Sequence, residues 1–156
     1  IAMPDVKMLV SQAEYTVSDI EQTYLESSPA VTHRVRARAY LGRTVYTETK
    51  KVRIDKMSAI EDEKEVSEAE YRDLLLRKAH NTVTVRKTRH TFAYLGQTFE
   101  VDIYPEWQRS AILETELESR DKQVTFPEFI AVITEVTGDK KYSNASMSRK
   151  FPEELI

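Results

Sequence analysis

Along most of this chain polar and apolar residues alternate, and the β-branched and aromatic side chains fall on one parity, the pattern of strands that bury one face. Strand-sized runs lie at about 20–25, 32–40, 44–54, 58–66, 82–93, 97–104, 110–118 and 131–137. Tyr94-Leu95-Gly96-Gln97, between two of them, predicts a tight hairpin turn. Helix signals are fewer. Pro4-Asp5 before Val6, Met8, Leu9 and Val10 predicts a short helix, since a proline at a helix start sacrifices no hydrogen bond. Ser67 and Glu70 form a capping-box pattern ahead of Tyr71-Arg72-Asp73-Leu74-Leu75-Leu76-Arg77, and a third short helix is expected after Pro127. Eight strands with few helices predict a mainly β (α+β) fold whose antiparallel sheet closes or nearly closes.

Composition narrows this further. A chain of 156 residues with 40% hydrophobic content fits one domain, 1–156, able to bury roughly two-thirds of its unfolded surface. No internal repeat or Ser/Gly-rich linker divides it. The charged fraction of 31% exceeds the ~25% of an ordinary globular chain, so many charges of both signs must be placed. With a net charge of -3 and a pI near 5.7 there is no nucleic-acid footprint. The absence of cysteine removes disulfide and thiolate chemistry. No run approaches the roughly 18 apolar residues of a membrane span, and the start has no signal-peptide pattern. A soluble cytoplasmic protein is expected. Because the chain opens Ile1-Ala2-Met3-Pro4, it reads as a fragment or processed form.

Residues two apart on a strand point the same way, so the faces can be written from sequence. Arg34, Arg36 and Arg38 share one face, with Val35, Ala37 and Ala39 opposite; Lys87 and Arg89 share another, and Lys50 is expected on a strand beside them. Acidic stripes are Glu61, Glu63 and Glu65; Glu100 and Asp102; and Glu114, Glu116 and Glu118, with Glu135 later. Like charges so close repel unless opposite charge lies beside them. Either the strands interleave as a structural salt-bridge lattice, or they line a barrel interior and share a polyanion and a cation. The second arrangement suits a triphosphate, gripped by arginine forks and lysines, with Mg²⁺ or Mn²⁺ on carboxylate oxygens.

The residues also resemble a known family, the CYTH domains of the triphosphate tunnel metalloenzymes. The resemblance runs through Gln22-Thr23-Tyr24-Leu25; Arg34-Val35-Arg36; Tyr46-Thr47-Glu48-Thr49-Lys50; Arg86-Lys87-Thr88-Arg89-His90; Phe99-Glu100-Val101-Asp102-Ile103-Tyr104; Ala111-Ile112-Leu113-Glu114-Thr115-Glu116-Leu117; and Glu135-Val136-Thr137-Gly138-Asp139, in the family's order. It implies an eight-stranded antiparallel barrel forming a triphosphate tunnel, and divalent-metal-dependent hydrolysis of inorganic triphosphate, thiamine triphosphate or a nucleoside triphosphate. By resemblance, Arg34, Arg36, Lys50, Lys87 and Arg89 are phosphate ligands, Asp102, Glu114 and Glu116 are ligands of Mg²⁺ or Mn²⁺, and Glu61, Glu63 and Glu135 are supporting acids. Arg38 continues the Arg34 and Arg36 stripe, and Lys140 and Lys141 read as exposed turn lysines. His33, His80 and His90 have no ligand-like spacing and read as ordinary polar residues.

Two departures stand out. The family opens with a Glu-x-Glu-x-Lys strand that has no counterpart in this chain, so the first strand is expected to be absent or truncated and the metal shell incomplete. Ala59 stands where related chains often carry arginine. The competing expectation is a non-catalytic nucleotide or phosphoinositide binding module following an upstream P-loop domain, which the segments around Asp102-Ile103-Tyr104-Pro105 and Glu135-Val136-Thr137-Gly138-Asp139 resemble. A plain structural β-domain would bind neither anion nor metal.

Overall fold

The computed structural model describes residues 1–55, 58–119 and 121–156. Its elements are helix α1 (Val6–Val10), strands β1 (Ala13–Tyr24), β2 (Val31–Tyr40), β3 (Arg43–Arg53) and β4 (Ala59–Val66), helix α2 (Glu68–Leu75), strands β5 (Val85–Tyr94), β6 (Gln97–Ile103) and β7 (Ile112–Glu114), a 3₁₀ turn at Lys140–Tyr142 and helix α3 (Asn144–Met147). The strands form an antiparallel sheet in the order β4-β3-β2-β1-β5-β6-β7. Among the described residues there are seven strands rather than eight, and the sheet is not closed.

The chain divides into two compact units. The first comprises Ile1–Asp19, Lys87–Gly138 and Glu153–Ile156. Its core lies on the face of β5 and β6 that carries Phe92, Phe99 and Val101, joined by Leu9, Ala111 and Ile130. The phenyl rings of Phe92 and Phe99 sit directly across the two strands and stack at 5.5 Å. The second unit comprises Ile20–Arg86 and Asp139–Pro152, with a core of Leu25, Val35, Val66 and Tyr71. There α2 lays Tyr71 on the sheet against Tyr46 of β3, ring centroids 4.8 Å apart.

Local signals explain most of the elements. Ser67 accepts from the Glu70 amide while the Glu70 carboxylate accepts from the Ser67 amide, completing the capping box of α2. Asp5 caps α1, so Pro4 precedes the cap. Leu95 and Gly96 both have positive φ, 48° and 75°, which makes the β5–β6 turn type I′. Leu41 and Gly42 repeat this at 50° and 75° between β2 and β3. Ala39–Thr44 and Ala93–Thr98 both read Ala-Tyr-Leu-Gly-x-Thr, so the chain contains a short repeat where none was expected.

Other expectations need correction. The first strand begins at Ala13 rather than near residue 20, because Ser18 and Asp19 hide the alternation of a segment that is nevertheless extended. The expected strand 110–118 shortens to Ile112–Glu114. The segment 131–137 is not a strand; Ala131 accepts one backbone hydrogen bond, from Ala2, and no ladder follows. After Pro127 a single turn closes, Ile130 N to Pro127 O at 3.0 Å, instead of a helix. Phe126 offers no capping oxygen there, whereas Asp139 and Ser143 cap the 3₁₀ turn and α3 that the hydrophobic pattern did not mark.

Candidate functional site

Each unit presents one charged sheet face. In the first unit the side chains of Lys87 and Arg89 on β5 share a face with Glu100 and Asp102 on β6 and Glu114 on β7, because Arg89 pairs with Asp102 and Glu100 with Glu114 across the ladders. Asp102 is fully buried. Its Oδ2 accepts from Lys87 Nζ at 2.7 Å and from Arg89 Nη2 at 2.8 Å, and its Oδ1 accepts from Arg89 Nε at 2.7 Å. Arg89 also reaches Glu100 at 2.5 Å and Glu114 at 3.9 Å. It thereby separates two carboxylates that stand directly opposite one another.

The electrostatics follow from burial and from these contacts. Burial alone would push the Asp102 carboxyl up, but the Arg89 hydrogen bond and the Lys87 charge outweigh it and hold the group below the usual aspartate range. Burial likewise works against the Arg89 charge and is overcome by Asp102, which raises Arg89 above its ordinary value. Lys87 is the member that yields. Its burial, with Arg89 beside it, outweighs the pull of Asp102 and lowers its affinity for a proton. Three carboxylates against two cations leave this face with a small negative excess.

The expected metal ligands do not come together. Both Asp102 oxygens are engaged by Lys87 and Arg89, and Glu114 and Glu116 are exposed on the wall of an open groove of about 600 Å³ that Glu100, Glu118, Gln97 and Lys122 also line. Among the described residues no three histidine or carboxylate side chains converge as a cation would require. In this arrangement Asp102 serves the two cations, and Glu114 and Glu116 are the exposed carboxylates that remain open to a metal ion.

In the second unit Arg34 and Arg36 project from β2 on the face opposite Val35, half-buried. Gln22 Oε1 accepts from Arg36 Nε at 2.9 Å and from Nη2 at 2.7 Å. Arg34 Nη2 lies 3.9 Å from Glu63, whose Oε1 also accepts from Thr49 at 2.7 Å. The buried Nε of Arg34 has no hydrogen-bond partner among the described residues. That is costly for a guanidinium unless something else supplies the acceptor.

The remaining expected residues scatter. Lys50 pairs across the ladder with His33, and Arg34 pairs with Thr49, so Lys50 lies on the face of Val35 and Glu48, away from Arg34 and Arg36. Lys51, opposite Thr32, shares the arginine face instead. Glu61, Glu63 and Glu135 are exposed, and Ala59 stands opposite Arg53. Arg38 shares the Arg34 face. Lys140 and Lys141 are exposed, the latter 3.7 Å from Asp139.

Two histidines hold positions that spacing did not reveal. His33 is buried and its Nε2 lies 2.7 Å from Glu48, which also meets Lys64 at 3.5 Å. His90 Nδ1 lies 2.8 Å from the Tyr15 hydroxyl, and burial lowers the basicity of the ring. In the β2–β3 hairpin the His33–Glu48 pair occupies the hairpin position that Lys87–Asp102 occupies in β5–β6, each pair fifteen residues apart.

The fold is shared with a triphosphatase. The crystal structure of the inorganic triphosphatase NE1496 superposes with a TM-score of 0.66 at 24% identity, covering 97% of this chain and 93% of that one. The PH1819 and PH1012 proteins of Pyrococcus horikoshii OT3 are more distant, each at 20% identity and TM-score 0.49, covering 74% and 73% of this chain and 73% of each of theirs. No family model matches the chain. No curated protein matches it either. None of its helices is long and apolar enough to cross a membrane, among the described residues.

Proposed function

We propose that this chain is the triphosphate-binding part of a hydrolase acting on a triphosphate compound: inorganic triphosphate, thiamine triphosphate or a nucleoside triphosphate. The observation that carries the reading is Arg34, whose buried Nε lacks an acceptor among the described residues on a face it shares with Arg36. Phosphate oxygens supply such acceptors, two to a guanidinium fork. Arg34 and Arg36 in the second unit are proposed phosphate ligands, as are Lys87 and Arg89 in the first, each pair on its own unit's face; Lys50, also proposed, lies on the other face of β3. The fold shared with NE1496 supports a triphosphatase over a plain structural domain. Membership of the CYTH family belongs to the same proposal.

Mg²⁺ or Mn²⁺ enters with the substrate, as the metal complex of the triphosphate. The negative excess around Glu100, Glu114 and Glu116 favours that complex over the bare anion. Glu61, Glu63 and Glu135 remain supporting acids in this reading, and the cytoplasm, with its nucleotides and its reducing conditions, is the proposed compartment.

One observation favours a second reading. Asp102, the carboxylate the hydrolase reading assigns to metal, is engaged by Lys87 and Arg89, which favours binding without hydrolysis, as in a nucleotide or phosphoinositide module behind a P-loop domain. The deciding experiment incubates the full-length protein with tripolyphosphate, ATP or thiamine triphosphate and Mg²⁺ or Mn²⁺, and follows phosphate release and melting temperature. Release that disappears in the Arg34→Ala/Arg36→Ala variant is expected. Stabilisation without release selects the binding module, and neither effect with any compound overturns both readings.

A further inference from the structure

We propose that Gln22 is a positioning residue for anion binding: its neutral amide orients the Arg36 guanidinium without adding a charge that would oppose an incoming phosphate. The inference rests on the phosphate-binding reading of the Arg34 and Arg36 face. Gln22 is almost wholly buried in β1 and accepts from Arg36 through a single oxygen, at 2.9 Å from Nε and 2.7 Å from Nη2. Its amide nitrogen donates to the Tyr24 hydroxyl at 2.7 Å, two residues along the same strand face. These contacts determine which end of the amide is which. Only the carbonyl oxygen can take two guanidinium donors, and only the NH₂ can serve a hydroxyl as donor.

The edge of Arg36 that Gln22 holds is the one a carboxylate would hold as a fork. Asp102 makes that contact with Arg89 in the other unit, and there it contributes a full negative charge. At Gln22 the same orienting geometry comes from an amide, so the contact itself leaves the charge of Arg36 in place. Buried and locked by Tyr24, Gln22 fixes the plane of the guanidinium before any ligand arrives, and preorganisation of this kind lowers the cost of binding.

The test uses the full-length protein with Mg²⁺-tripolyphosphate as probe, binding measured by calorimetry and Arg36 followed through its Nε–H resonance. Gln22→Glu is expected to leave the unliganded melting temperature equal or higher while weakening binding about tenfold or more, because a new carboxylate competes with the phosphate for the same cation. Gln22→Ala is expected to weaken binding less and to shift and narrow the Arg36 Nε–H signal as the guanidinium gains motion. If Arg36→Ala loses affinity while Gln22→Glu binds as the wild type does, the inference is overturned and the phosphate reading stands. If Arg34→Ala and Arg36→Ala both bind normally, the phosphate reading itself is wrong. Should Gln22→Glu fail to fold, Gln22→Ala decides alone: an unchanged resonance with unchanged affinity overturns the proposal.

Discussion

Lys87 donates to Asp102 at 2.7 Å with both side chains out of reach of solvent. Arg89 closes on the same carboxylate, so removing it would leave two crowded cations with one neutralising contact fewer. Asp102→Asn is expected to cost about 3–5 kcal/mol in urea unfolding, the penalty of breaking a buried ion pair from one side. The sign of the pH effect follows from the lowered folded value of Asp102. Its contribution is complete above the ordinary aspartate value of about 4 and is lost as pH falls through the lower folded value. A melting curve for Asp102→Asn should therefore fall less steeply than wild type below about pH 4; identical slopes would contradict this.

Arg34 should show the opposite balance. Its Nε, without a partner among the described residues, costs stability in the unliganded protein, by about 1–3 kcal/mol for a typical orphaned donor. Arg34→Met keeps the volume and removes the orphan. Its melting temperature is expected to equal or exceed wild type, while stabilisation by Mg²⁺-tripolyphosphate shrinks. A lower melting temperature with the ligand shift intact would mean that Arg34 is structural.

His33 and Glu48 form a buried pair that the proposed chemistry does not use. Burial would raise the Glu48 carboxyl, but His33 and then Lys64 lower it further than burial lifts it. Glu48→Ala leaves a buried imidazole without its partner and is expected to cost about 1–3 kcal/mol. The double variant His33→Phe/Glu48→Leu, with no polar group left to satisfy, should recover most of that loss. Denaturation midpoints of the three proteins check it.

Gly96 sits at φ 75° with no atom within 4 Å of the position a Cβ would take. Gly96→Ala therefore meets strain in the backbone alone, about 1–2 kcal/mol, and Gly96→Asn should cost less because asparagine tolerates this region. Equal stability of all three in urea would show that the turn does not hold the β5–β6 register.

Some of this protein is legible without coordinates because it depends on neighbours in the chain. Ser67 and Glu70 are three residues apart, and Leu95-Gly96 is a turn wherever two strands flank it. Parity along an extended segment is equally local, so Arg34 with Arg36, and Lys87 with Arg89, are paired by sequence alone. Cross-strand relations are different. Lys50 stands apart from the arginine face because β2 and β3 pair His33 with Lys50, and a register shifted by one residue would have reversed that outcome.

Burial is likewise collective. Asp102 reads in sequence as one carboxylate among many and as a metal ligand by resemblance, yet the ladder between β5 and β6 places it beside Arg89 and in reach of Lys87, and burial turns it into their counter-ion. Gln22 carries no charge to attract notice, and its hold on Arg36 exists only because β1 and β2 lie side by side. Local periodicity thus determined which side chains share a strand face, while register and burial, which depend on residues far apart in the chain, decided which of them meet and whether their charges remain available to a ligand.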